Sequence, residues 1–257
     1  MPQIEIAAEK LFSIAGFPVT NALLAGWVTV AVLVTTTFLV RAQTRLIPSA
    51  IQNIFEMIID GFLGLMEGIF GSRENAEKYF PIVGAIFLFV VTSNWLGILP
   101  GFGSLEFVDD GHHAVPLLRS AASDLNLTLA LGIVAVALVN IAGVGALGIK
   151  QHLSKFFTLK NPILSFVGIL EFISEFARII SFSFRLFGNI FAGEVLLTIT
   201  AFVAAVLTPP AITTLQPLVT AGIQLPFLGL EIFVGLVQAL VFAMLTMVFV
   251  SIAVAHH

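Results

Sequence analysis

Hydrophobic residues in this chain run in long uninterrupted blocks, with charge confined to the gaps between them. No Asp, Glu, Lys or Arg occurs in residues 11–40, 79–105, 125–149, 195–230 or 232–255, and a further apolar stretch, 161–194, is broken by a few charges. A bilayer core takes roughly 20 apolar residues of upright helix. The blocks therefore predict crossing helices at about 18–40, 79–99, 124–149, 162–206 and 218–255. Residues 48–70 read differently. Ile51, Phe55, Ile58, Phe62 and Met66 recur at helical spacing, while Asn53, Glu56, Asp60 and Glu67 fall on the opposite face. Such a segment is expected to lie on the membrane surface as an amphipathic helix rather than to cross.

The last two segments are too long for an upright crossing. No proline interrupts the chain between Pro162 and Pro209, and about 45 helical residues extend about 67 Å at 1.5 Å each, against about 30 Å of hydrocarbon. Such a helix has to slope steeply or bend. The final segment is similarly long, and Pro226 is expected to kink it near its outer end. The expectation is an all-α integral membrane protein forming one membrane domain over residues 1–257. It has five crossing helices and one surface helix, and its last two helices form a long, inclined hairpin.

Composition narrows the class. The chain is 58% hydrophobic and 10% charged, with a mean hydropathy of +1.08, whereas soluble domains are about one quarter charged. With no cysteine, disulfides, Cys-ligated zinc and iron–sulfur clusters are ruled out. The eleven Lys and Arg are spread thinly, which argues against nucleic-acid binding. Glu5, Glu9 and Lys10 stand where a cleavable signal would be basic, so the first apolar block is expected to be retained. If the first helix runs inward, Arg41, Arg45, Arg73, Lys78, Lys150, Lys155 and Lys160 are cytoplasmic and only Lys10 and Arg119 lie outside. The positive-inside rule then puts the N-terminus outside and the C-terminal His256 and His257 inside. Asp109, Asp110, His112 and His113 sit in a Gly- and Pro-rich loop, 100–116.

Ionisable groups inside membrane helices cost roughly 2.5 to 3.5 kcal/mol each on insertion scales, which makes them functional candidates. Glu171, Arg178 and Arg185 are spaced by seven, within about 40° on one helix face, with Glu175 beside them. Asn189 continues the face, and Ser181, Gly188 and Ala192 make it flat around Arg185, a surface suited to close approach by a partner helix. Glu194 points elsewhere. On the last helix Gln224, Glu231 and Gln238 share a face. In an antiparallel hairpin, setting Glu231 opposite Glu194 brings Gln238 near Arg185. The structural alternatives are that Glu171 and Glu175 snorkel or pair with Arg178 at the interface, and that Glu194 and Glu231 form a protonated hydrogen-bonded pair. No Asp or Glu stands three or four residues from Arg185, which disfavours a local salt bridge there. No cofactor or metal site is expected.

Residues 171–196, EFISEFARIISFSFRLFGNIFAGEVL, resemble the signature of subunit a of F-type ATP synthases, as do 93–102 (SNWLGILPGF), 123–129 (SDLNLTL) and 233–248 (FVGLVQALVFAMLTMV), in the same order. The resemblance implies a proton-translocating stator, not itself catalytic; with no presequence apparent and a compact N-terminus, a bacterial cytoplasmic membrane is expected. Its implied partners are a ring of c subunits, b-type peripheral stalk subunits, the remaining ATP synthase subunits and lipid. By motif, Arg185 corresponds to the essential arginine, Asn189 to the Asn after it, and Gln238 to its polar partner on the last helix. Glu194 and Glu231 correspond to two positions that the family commonly fills with Glu and His. Both are Glu here, which leaves open how the pair shares protons. Gln224 joins them in an implied outer half-channel, and Glu171, Glu175 and Arg178 form the cytoplasmic one. The coupling ion is read as H⁺, with Na⁺ the alternative. A secondary transporter is disfavoured by the lack of internal repeats, and an intramembrane hydrolase by the lack of G-x-S-x-G or H-E-x-x-H.

Overall fold

The computed structural model describes residues 7–44, 48–99, 102, 106–108, 114–156, 162–209 and 214–255. Glu5, Arg45, Lys160, Asp109, Asp110, His112, His113, His256 and His257, named above from the sequence, lie outside the described residues. Among the described residues, seven α-helices carry the fold: α1 (Asn21–Gln43), α2 (Ala50–Phe70), α3 (Arg73–Ile98), α4 (Leu125–Leu147), the short α5 (Ile149–Ser154), α6 (Pro162–Leu207) and α7 (Gln216–Ala255). Five of them, all but α2 and α5, are long and apolar enough to cross a membrane.

Local chemistry sets the helix ends. The Ser49 hydroxyl accepts from the Gln52 amide to cap α2, and Gly71, at φ 70°, closes it by donating to Glu67 O. Asp124 accepts from the Asn126 amide at 3.0 Å where α4 begins, a side-chain cap for an otherwise unpaired donor. Helix α6 opens on a proline, whose missing N–H costs nothing in the first turn. It runs 46 residues without a break, about 69 Å. Helix α7 runs 40 residues with Pro226 inside it.

Among the described residues, two small antiparallel strand pairs add to the helices. Strands β1 (Lys10–Ile14) and β2 (Phe17–Thr20) pair antiparallel, so the apolar block that starts at residue 11 turns back on itself before the first helix. The connecting Ala15 and Gly16 both have positive φ, 51° and 85°, as a two-residue hairpin turn matched to strand twist requires. Strands β3 (Glu106–Val108) and β4 (Ala114–Pro116) form the second pair.

The described chain sorts into two compact units. The first comprises residues up to Ala31, Phe89–Thr128 and Arg185–Ala239; the second comprises Val32–Leu88, Leu129–Phe184 and residues from Leu240 on. In the first, Val19, Ala22, Ala25, Val90 and Leu186 are fully or nearly fully buried. In the second, Met66 of α2 and Val83 of α3 are fully buried, and the Phe182 ring of α6 packs on Phe242 and Phe249 of α7 at 5.1 and 5.9 Å. Arg73 at the start of α3 pairs with Asp60 and Glu67 on the polar face of α2. Large apolar side chains such as Phe166, Phe176, Val206, Leu218 and Phe233 are exposed. So extensive an apolar surface requires lipid or protein around it rather than water.

Candidate functional site

In the first unit, the carboxylate of Glu194 on α6 is held by Arg119, from the segment that precedes α4. Arg119 Nε donates to Oε1 at 2.9 Å and to Oε2 at 3.2 Å, and Nη2 donates to Oε2 at 3.2 Å. Its Nη1 donates to the carbonyl of Ala7 at 3.2 Å. The guanidinium is nearly buried, 7% exposed, so its charge relies on these contacts. A fork of this kind fixes geometry as well as charge.

Beside the pair lies a cavity of about 380 Å³, lined by Arg119, Glu194, Asn94, Ser120, Thr198 and Glu231 among others. Glu231 of α7 makes no ion pair among the described residues, and its buried Oε2 has no hydrogen-bond partner there. It lies hard against Gly193 of α6, where a Cβ would come within 2.5 Å of Oε1. The glycine is what lets the α7 carboxyl reach that position. Two side chains of α3 hold α7 in place: Asn94 donates to Gly235 O at 3.0 Å and Trp95 Nε1 to Ile232 O at 3.2 Å. Gln224 donates to Leu197 O at 2.9 Å and is not among the cavity-lining residues.

Arg185, Gly188, Asn189 and Ala192 are all exposed on α6. Asn189 donates to Gln238 Oε1 on α7 at 2.6 Å, and the buried Nε2 of Gln238 has no partner among the described residues. The amide expected beside Arg185 thus bonds to the Asn one helical turn further on.

In the second unit, the buried Glu175 accepts from Arg178 at 3.0 Å, a bond within one turn of α6. Lys155, just past α5, lies 3.5 Å from Glu171 and 3.8 Å from Glu175. Arg178 also stacks over the Phe249 ring at 4.3 Å, a favourable place for a partly desolvated cation. From α4, Asn140 donates to Glu175 Oε2 at 3.3 Å, and the ring of His152 meets Asn140 Oδ1 at 3.0 Å. Helix α4 comes this near because Gly132 has no side chain; a Cβ there would fall 2.5 Å from Ser183 Oγ. Burial lowers the His152 pKa from its ordinary 6.5, the charge of Lys155 lowers it further, and Glu175 and Glu171 oppose both.

Glu194 and Glu231 thus border one cavity, and Glu171, Glu175 and Arg178 form one cluster, as the spacing suggests. The sequence pattern marked Arg119 and Lys155 only as loop charges and did not single out Asn140 or His152. Arg119 left one trace: it is the sole Lys or Arg between Lys78 and Lys150. His152 left none, because its neighbours come from distant segments. Among the described residues, no group of three His, Cys, Asp or Glu could hold a metal ion.

Residues 23–251 match the family described as ATP synthase A chain. The chain is similar to ATP synthase subunit a of Mycobacterium tuberculosis (strain CDC 1551 / Oshkosh), at 31% identity over 97% of this chain and 93% of that protein. It is similar to the subunit a of Gloeobacter violaceus, at 32% over 90% and 82% of the two chains. The subunit a of Helicobacter pylori (strain P12) is 31% identical over 96% of each.

Proposed function

The chain belongs to the ATP synthase A chain family, and on that premise we propose that it is a stator through which protons reach and leave a rotating ring of c subunits by two separate half-channels. Its coarser role is that of a proton-translocating subunit in the membrane sector of an ATP synthase, a multi-pass membrane protein. The finer proposal places it in a bacterial cytoplasmic membrane with the N-terminus outside, beside a b-type peripheral stalk and the remaining synthase subunits. The observation that carries it is the arginine-bearing face of α6, with Arg185, Gly188, Asn189 and Ala192 exposed together.

A proton arriving from outside passes through the cavity beside Glu231 and Glu194, with Gln224 about two turns nearer the outer end of α7. It neutralises a ring carboxylate, which then tolerates lipid because its charge is gone. After a turn of the ring, that group releases its proton toward Glu175 and Glu171, with Arg178 beside them. Arg185 attracts the bare carboxylate, worth about 4 kcal/mol at 4 Å with an effective dielectric of 20. Asn189, one turn further along α6, holds Gln238 of α7. A permanently charged guanidinium also bars protons from crossing directly between the half-channels. Each proton gains about 2.3 kcal/mol per 100 mV of membrane potential, so several are needed per ATP formed elsewhere in the complex.

The test is Arg185→Ala in the whole reconstituted complex. The variant is expected to assemble and to lose ATP-driven proton pumping. Pumping at the native rate would remove Arg185 from the mechanism.

A further inference from the structure

His152 stands at the far end of a chain of contacts that reaches Glu175 from outside α6. It is buried in the short helix α5, against Gly143 of α4, where a Cβ would meet ring atoms Cε1 and Nδ1 at 2.6 and 2.7 Å. The orientation of the intervening amide follows from its bonds. Asn140 Nδ2 reaches two acceptors, Val136 O at 3.0 Å and Glu175 Oε2 at 3.3 Å, so Oδ1 is the atom turned toward His152. The ring nitrogen facing it, Nε2, must carry hydrogen. In the neutral ring Nδ1 is then bare, and it has no hydrogen-bond partner among the described residues.

This arrangement bears on what Glu175 can do. Arg178 and Lys155 both approach its Oε1, while Oε2 is held by Asn140. A carboxylate released from the amide can turn both oxygens to the guanidinium, the two-pronged geometry that binds tightest. Such a carboxylate would resist taking a proton.

We propose that His152 is a positioning residue for proton transfer at Glu175. Its Nε2–H fixes the Asn140 amide, the amide keeps Oε2 off Arg178, and Nδ1 takes up a proton when the adjoining aqueous side turns acid. The inference rests on the reading that Glu175 lies on the proton path. The charged groups facing the ring are Lys155, just past α5, and Glu171 and Glu175 of α6, with Arg178 beyond Glu175; α4 supplies the neutral Asn140 and Gly143, and α7 borders Gly143 with the apolar Ala253. Because burial and Lys155 lower the proton affinity of the ring, it is neutral near pH 7. Protonation adds a cation beside Glu175 and disfavours a proton there.

The experiment uses inverted vesicles carrying the whole complex, with ATP-driven proton uptake followed as the external pH is varied. His152→Ala is expected to slow uptake about two- to twelvefold near neutral pH, the worth of one hydrogen bond. His152→Gln, which retains a donor but cannot titrate, should recover most of that loss and fall less steeply than the native complex below pH 6.5, the ordinary imidazole value. The double variant His152→Ala, Asn140→Ala should be no slower than Asn140→Ala alone, because the two act in series. Additive losses, or acid profiles that coincide for native and His152→Gln, overturn the proposal. Glu175→Gln separates the two levels. If it slows uptake while His152→Ala does not, the positioning role alone fails; if it pumps at the native rate, the reading of Glu175 fails.

Discussion

The Glu194 and Glu175 clusters solve the same problem, carboxylates in an apolar setting, with different arithmetic. Around Glu175, two carboxylates (Glu171, Glu175) meet two cations (Lys155, Arg178), and the balance is completed by a neutral amide and ring. Around Glu194, two carboxylates (Glu194, Glu231) meet one cation, Arg119, which is committed to Glu194 through three contacts. Glu231 is left as the surplus carboxyl beside a cavity. An unpaired buried charge is costly, which makes Glu231 the candidate for exchanging a proton with the cavity, while the Glu194 carboxyl is clamped by Arg119. What sets the two Glu residues of this site apart is a third residue, Arg119, from a distant segment.

That contrast is open to several attacks, taken from the largest expected effect down. Glu231→Gln removes the surplus carboxyl. If it is the proton carrier, proton conduction in reconstituted vesicles should fall about 100-fold or more, the scale of losing a positioned acid or base; Glu194→Gln should cost less. Arg119→Leu leaves Glu194 without its clamp, and charge-assisted hydrogen bonds are worth about 1.5 to 3 kcal/mol. A loss of conduction of at least about tenfold is expected, and Arg119→Leu with Glu194→Gln should be milder than Arg119→Leu alone. Gly193→Ala forces Glu231 aside, at a strain of about 1 to 3 kcal/mol, and should slow conduction several-fold although alanine is the better helix former. Glu171→Gln, which disturbs a partly exposed pair with Lys155 at 3.5 Å, should change the rate less than about fivefold, since such pairs are worth about 1 kcal/mol or less. If Glu171→Gln proves as damaging as Glu231→Gln, the two clusters are not distinguished by charge balance.

How much of this was legible in the sequence depended on the range of the signal. The crossing helices were legible because twenty or more apolar residues in a row state their own environment, and the length of α6 followed from the absence of proline. The polar faces of α6 and α7 were legible because spacing by seven survives on any helix. What escaped came from tertiary contact. The β1–β2 hairpin lay hidden inside an apolar block, where Ala15-Gly16 is a weaker turn signal than Asn-Gly. Gln224 shares a helix face with Glu231, yet its amide is taken up by a backbone carbonyl of α6. Arg119 reaches Glu194 across 75 residues of chain and Asn140 reaches Glu175 across 35, with His152 behind the amide. No periodicity records such a separation.

Along α6, Arg185 stands between Glu175 and Glu194, where the proposed stator needs it to keep two proton paths apart. The direct measurement is proton flow into vesicles carrying the whole complex under an imposed potential, native against Arg185→Ala, with ATP synthesis recorded at the same time. Proton flow without synthesis in the variant is the expected result. Synthesis continuing at the native rate would contradict it, because the two paths would then be separated without the arginine.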